Sequence, residues 1–284
     1  MAEHEIPDWV TPLLACPACR RPLAQDDDGS LTCACGSRFP VSPVALFADG
    51  QKDVDPWFNS AEFERRWARS RATAWIGDKM IAGLAPGATV LSVGEGYGEL
   101  VLRLAQARPD VRFIASDLSV TRCEWAACAA SQLGITNAWV CVADVARLPF
   151  ADAAFAVGYA RGLLHVVPRP IESVAELRRV VRERLLVDQL PNDPWGIIWF
   201  WLLQQWENVR ARARGRRPDR RIFGELRATR RRGGTFWPLV AYRSWFLGAR
   251  RLQLRASSVF IWETDRHHPL LGWLGYCGAI DVWF

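Results

Sequence analysis

The stretch VLSVGEGYGEL, residues 90–100, places glycines at 94, 96 and 98 directly behind an apolar run. A glycine-rich turn between a strand and a helix ordinarily cradles a pyrophosphate, which needs free backbone N–H groups at the helix N-terminus. This turn instead holds two carboxylates, Glu95 and Glu99, and Glu99 takes the last glycine slot of G-x-G-x-x-G. Pyrophosphate would meet like charge there. A phosphate-free nucleotide with a cationic group would not, and S-adenosylmethionine (SAM), with its sulfonium and ammonium, has that chemistry.

A second constellation lies near the N-terminus. Cys16-Pro-Ala-Cys19 is followed, after thirteen residues, by Cys33-Ala-Cys35. Four thiolates so spaced suit tetrahedral zinc, each tight turn giving two ligands. All-cysteine ligation leaves no open position, so the metal would be structural. The acidic run Asp26-Asp27-Asp28-Gly29 reads as a hairpin tip between the knuckles. A segment this short cannot bury enough core alone, and metal binding would contribute its folding free energy. Cys33-x-Cys35 is one residue shorter than the usual knuckle, so the alternative is a degenerate ribbon without zinc. Cys123, Cys128, Cys141 and Cys277 sit in apolar or helical surroundings and read as buried free thiols.

The elements that must position these residues alternate. Strands are expected at 89–93, 111–116, 138–143, 154–159 and 184–189, with helices at 98–107, 120–133 and 170–182. That is the pattern of an α/β protein with a doubly wound parallel sheet, in which ligands bind at the carboxyl ends of the strands. Asp117 and Asp144 fall at two of those ends. Residues 57–75 have helical periodicity. Residues 256–264 and 277–284 read as a closing antiparallel pair of strands.

With these residues in order, the chain resembles class I SAM-dependent methyltransferases over roughly residues 85–190. The resemblance rests on Ser92-x-Gly94-x-Gly96-x-Gly98, on Asp117, on Asp144 followed by Leu148-Pro149-Phe150, and on the segment FAVGYARGLLHVV. It implies a seven-stranded Rossmann-like sheet. It also implies that Ser92, Gly94, Glu95, Gly96, Tyr97 and Gly98 form the cofactor turn and that Asp117, with Leu118, holds the ribose hydroxyls. Asp144, with Val145, would meet the adenine amino group, and Arg161 would line the pocket. His165 and Tyr159 are the candidates for a proton acceptor, needed only where the methyl acceptor must lose a proton early. The product would be S-adenosylhomocysteine (SAH). Two features depart from the family: Ser92 replaces its acidic residue, leaving Glu95 as the candidate source of negative charge, and its Pro-Gly-Gly turn before the fifth strand is missing.

The pattern around the four cysteines resembles small zinc ribbons that activate or precede methyltransferases. The expected organisation is a ribbon at 1–48, a linker with N-terminal helices at 49–84, and a methyltransferase domain at 85–284 with a Trp/Arg-rich insertion at about 193–250.

The net charge of +6 is local. Residues 207–234 hold eleven arginines against three acidic residues, and the rest of the chain is slightly acidic. Nine of the fifteen tryptophans lie at or beyond Trp195. This third of the chain is compatible with a buried helix or homodimer interface, a lid over an apolar substrate, or peripheral membrane contact. The acceptor is therefore expected to be a small or lipid-like metabolite. RNA is the alternative, on the arginine run and on resemblance to ribosomal RNA guanine methyltransferases that carry a zinc ribbon. A non-catalytic partner that keeps the fold is a further alternative. The N-terminus lacks the basic and apolar regions of a secretory signal, and no apolar run reaches a membrane span's length, so a cytoplasmic location is expected.

Overall fold

The computed structural model describes residues 6–41, 43–50, 59–67, 81–188, 202, 205–206, 208–210, 212–215, 244–255 and 279–284, without the side chains of 161, 188, 254, 255 and 279. After a short 3-10 helix at Thr11–Leu13 come three two-residue strands, β1 (Ala24–Gln25), β2 (Leu31–Thr32) and β3 (Arg38–Phe39), in one antiparallel sheet of that order. The acidic tip turns as expected: Gly29 adopts φ 81° and Asp28 accepts from the Ser30 amide. Arg38 pairs with both Asp26 and Asp28 across the tip.

The apolar runs 89–93 and 138–142 are buried along their whole length, the signature of strands covered on both faces. They are β5 (Thr89–Val93) and β7 (Ala138–Val142), with β6 (Arg112–Asp117) between them in space. The sheet continues through β8 (Phe155–Arg161) and β9 (Val181–Asp188) to an antiparallel pair, β10 (Arg251–Arg255) and β11 (Ala279–Trp283). Helices α1 (Glu99–Ala107), α2 (Val120–Gln132) and α3 (Pro170–Val180) cross between parallel strands.

Among the described residues the sheet has eight strands rather than seven. The extra one, β4 (Ala45–Leu46), comes from the end of the cysteine-bearing segment and pairs in parallel with β7, giving the order β10-β11-β9-β8-β5-β6-β7-β4. Alternate residues of the strands feed two apolar layers. Val90, Phe113 and Leu186 meet α1 and α2. Leu91, Ile114 and Leu185 meet α3 and the N-terminal module, whose Val10, Leu14, Leu23 and Phe47 belong to the same core.

Two expectations are corrected. A strand not expected, Arg251–Arg255, pairs with β11, while the expected strand at 256–264 lies outside the described residues. The fifth strand begins at Val181 rather than 184, because α3 ends at Val180 and passes into β9 with no turn, so no Pro-Gly-Gly is needed. Cys123 and Cys141 are buried as expected, but Cys128 is exposed, on the outer side of α2. Cys277 and most of 193–250 lie outside the described residues. Residues 60–67 are helical, within the expected 57–75. Among the described residues, no helix is long and apolar enough to cross a membrane.

Candidate cofactor site and metal centre

The glycine turn connects β5 to α1, and its three glycines all have positive φ: 70° at Gly94, 68° at Gly96 and 82° at Gly98. At Gly98 a side chain is excluded twice over, since a Cβ would also lie 2.9 Å from the Cβ of Ala126 on α2. Gly98 is the N-cap of α1 and has no side chain with which to cap it. Glu95 does that work from within the turn. Its Oε1 accepts from the amides of Leu100 (3.2 Å) and Val101 (3.1 Å), and its Oε2 accepts from the Ser92 hydroxyl at 2.6 Å. The carboxylate is 3% exposed. The residue that departs from the family pattern and the carboxylate expected to compensate for it are thus in direct contact.

Three further amides of the turn are engaged. Gly94 donates to the Ser116 carbonyl at 2.9 Å, Glu95 to the same carbonyl at 3.3 Å, and Gly96 to Asp117 Oδ2 at 2.9 Å. Five N–H groups that a pyrophosphate would need therefore end on carboxylates or a carbonyl. Glu99, the second carboxylate, pairs at 3.2 Å with Arg66 from the helical segment 60–67. Arg66 and Arg122 lie over the buried Tyr97 ring, at 5.7 and 5.8 Å from its centroid.

Asp117 ends β6 beside this turn. Besides Gly96, it accepts from the Ser119 amide through Oδ1 at 3.0 Å, and Ser119 in turn caps α2. Each oxygen keeps a second lone pair for a ligand hydroxyl. Leu118 follows, half-buried. Asp144, just beyond β7, accepts from the Ala146 amide at 2.9 Å and pairs with Arg169 at 3.1 Å; Val145 beside it is buried. The turn, Asp117 and Asp144 thus converge at the carboxyl ends of three adjacent parallel strands, where a ligand of this architecture sits.

Residues 90–184 match the family model described as "Methyltransferase domain". Over that segment the chain is similar to a methyltransferase domain. Among solved structures, the chain is similar to a SAM-dependent methyltransferase from Aquifex aeolicus, at 14% identity over 80% of this chain and 97% of that one, with a TM-score of 0.46. It is similar to the CurJ carbon methyltransferase at 14% identity over 76% and 55% of the two chains, TM-score 0.48. It is also similar to the [4+2]-cyclase SpnF at 24% identity, TM-score 0.40, where the match spans half of each chain. Likeness at these levels carries no information about the acceptor.

Within the matched segment, His165 follows β8 at the same end of the sheet, in the loop that Gly162 opens with φ 52°. Burial lowers its pKa, so the imidazole is neutral at neutral pH. Tyr159 lies across from Ser92 in the β5–β8 ladder, with its side chain fully buried in the core. Arg161 ends β8, paired through its backbone with Asp188; its side chain is outside the described residues.

The four cysteines converge in the N-terminal module. The Sγ atoms of Cys16, Cys19, Cys33 and Cys35 all lie within 4.8 Å of one another, with Cys16–Cys35 at 3.7 Å and Cys19–Cys33 at 3.4 Å. A metal–sulfur bond of about 2.3 Å puts the edge of a tetrahedron near 3.8 Å, so the cluster fits a tetrahedral cation. The shortened Cys33-x-Cys35 knuckle still delivers both thiols. Cys35 is lowered to about 6, first by the Ser37 hydroxyl at 3.2 Å and then by the Ser37 amide. Cys33 receives a lowering hydrogen bond from the Cys35 amide, but burial and the surrounding thiols outweigh it and push Cys33 up to about 12. Thiols this close cannot all ionise without a cation among them.

Sequence reasoning missed Arg66, Arg122 and Arg169, which face Glu99, Tyr97 and Asp144. It also missed Gly50, where a Cβ would lie 2.4 Å from Val120 and 2.9 Å from Val142. Their partners are distant in sequence, and no local pattern marks them.

Proposed function

We propose that the chain binds SAM at the ends of β5, β6 and β7 and transfers its methyl group to a small or lipid-like metabolite, with zinc held by Cys16, Cys19, Cys33 and Cys35 in a structural role. The observation that supports the cofactor is the state of the turn's N–H groups. Those of Gly94, Glu95, Gly96, Leu100 and Val101 are already bonded, two of the acceptors are carboxylates, and the site favours a cation over a phosphate.

Bound there, SAM supplies an electrophilic methyl on a positively charged sulfur. Asp117 would hold the ribose hydroxyls with its free lone pairs. Asp144 would accept from the adenine amino group, sharing its carboxylate with Arg169. Glu95, buried beneath the turn, adds negative potential near the sulfonium and ammonium. Much of the acceleration comes from alignment of acceptor and methyl group. His165, kept neutral by burial, is able to take a proton from an oxygen or nitrogen acceptor.

The metabolite reading is supported by an apolar helical face beside arginines. Leu202, Trp206 and Val209 are exposed at helical spacing, and Arg210 stacks over Trp206 at 4.4 Å. The RNA alternative rests on the arginine run, most of which lies outside the described residues. Titration calorimetry with SAH tests the cofactor; no binding would defeat the whole reading. Radiolabelled methyl transfer then separates the acceptors. Label in organic-extractable or small polar products supports the proposal, whereas label in ribosomal RNA, with binding that weakens steeply with salt, replaces it.

A further inference from the structure

Arg20 follows the first cysteine knuckle and has φ 67°, one of two described non-glycine residues in the left-handed region. Glycine is the residue that this backbone favours, and an arginine there is strained. Its side chain reaches across to the methyltransferase domain. Nη1 donates to the Leu148 carbonyl at 3.2 Å, and Nη2 to Glu176 Oε1 on α3 at 2.7 Å. Glu176 is 8% exposed, and its Oε2 accepts from the Leu148 amide at 3.0 Å. Arg179 completes the cluster on Glu176, Leu148 and Phe150. Both backbone groups of Leu148 are therefore fixed, and Arg20 is the link between them and the knuckle.

The same segment is held at further points. The Ala15 amide donates to the Pro149 carbonyl at 3.0 Å, and the Ala151 amide to the Leu13 carbonyl at 2.9 Å. Upstream, β4 pairs with Cys141 and Val142, and the Phe47 amide donates to the Val142 carbonyl at 2.9 Å. The loop that starts at Asp144 is thus bracketed by the cysteine module on both sides.

We infer that Arg20 is a positioning residue for the adenine end of the cofactor site: through Leu148 and Glu176 it ties the metal knuckle to the Asp144–Phe150 loop and sets where the Asp144 carboxylate stands. This rests on the reading of Asp144 as the adenine contact. The strain at Arg20 is retained because the guanidinium has a task that glycine would abandon.

Arg20→Gly is the direct test, because it relieves the backbone while deleting the link. The full chain, loaded with zinc, is compared with the wild type for zinc content, melting temperature and affinity for two ligands: SAH and its inosine analogue, which lacks the adenine amino group. The expected result is unchanged zinc content with SAH affinity lowered about three- to tenfold and inosine-analogue affinity nearly unchanged, so that the preference for the amino group shrinks. Equal losses on both ligands, or none, would overturn the inference and leave Arg20 a purely structural contact. Arg20→Lys, which keeps one charged donor, should fall between glycine and wild type on the same preference and decides the matter if the glycine variant fails to fold. A wild type that binds neither ligand would overturn the cofactor reading itself. A wild type that binds SAH while both Arg20 variants keep the full preference would overturn only the role of Arg20.

Discussion

Glu95→Gln removes one buried charge while keeping the shape of the side chain. In the wild type its carboxylate takes the Ser92 hydroxyl at 2.6 Å and the first free amides of α1 at 3.2 and 3.1 Å. The glutamine oxygen can still accept from both amides, but its NH₂ then faces Ser92, whose hydroxyl must turn to accept. Three charge-assisted bonds become neutral ones of roughly half the strength, and the favourable interaction with the helix N-terminus, about 0.3–1 kcal/mol, is lost. The expected destabilisation is about 2 kcal/mol, measured by urea denaturation of the full chain. The second effect is on binding. SAM carries one more positive charge than SAH, so a carboxylate that stands in for the acidic residue missing at Ser92 must favour SAM between the two. At an effective dielectric of about 20, one unit charge about 10 Å away is worth about 1.7 kcal/mol, or more than tenfold in affinity. Calorimetry of the variant should show SAM losing roughly that much more than SAH. Equal losses would refute the compensation argument and leave Glu95 as a helix cap only.

Gly98→Ala should cost about 2–4 kcal/mol and disturb cofactor binding, because φ 82° and the 2.9 Å approach to Ala126 both oppose a methyl group; a variant of wild-type stability would show that α1 and α2 can separate there. Removing the metal with a chelator should lower the melting temperature of the whole chain, not of a separate small transition, because the cysteine module shares a core with the sheet; two resolved transitions in calorimetry would argue against this. His165 is held below its unfolded value near 6.5 by burial, so its contribution to stability is intact above that pH. The contribution is lost as pH falls from there through the folded value, since the unfolded chain takes up the proton first. His165→Gln should therefore flatten the loss of stability between pH 7.5 and 5.5, read as denaturation midpoints.

The features legible in the sequence were those with local causes. The glycine spacing, the carboxylates at strand ends and the cysteine pairs each follow from what a turn, a strand terminus or a metal needs within a few residues. The apolar runs fixed β5 to β9 in number and nearly in extent. What escaped was set by tertiary packing. Arg66 meets Glu99 only because the helical segment 60–67 lies beside the glycine turn, and Arg169 meets Asp144 across 24 intervening residues that include β8. The strand Arg251–Arg255 has a similar origin: it is defined by its pairing with the distant Ala279–Trp283, with Arg251 lying over the Trp283 ring at 5.0 Å. Cys128 misled because a helix interior was equated with burial; α2 turns Cys123 and Ala127 inward and leaves Cys128 outside.

The extra strand explains why the cysteine module is attached as it is. In a doubly wound sheet, helices must cover both faces. Here α1 and α2 cover one face, but the connection from β7 to β8, residues 143–154, contains no helix. Without a substitute, the other face over β6 and β7 would present Ile114, Trp139 and Cys141 to water. The N-terminal module fills that gap: Val10, Leu14, Leu23 and Phe47 pack in the same core, Phe47 meets Trp139 edge-on at 6.5 Å, and Trp139 is 1% exposed. Fully burying one such side chain is worth about 1.5–3 kcal/mol, so the module is part of the sheet's own stability. A ribbon held by four cysteines is rigid enough to replace a helix in this position, and it brings Arg20 and β4 to the two ends of the loop that carries Asp144. If Asp144 meets the adenine as proposed, covering the core and bracing the cofactor site are one arrangement, and a change in the first cysteine knuckle would reach the adenine end through residues 148–151.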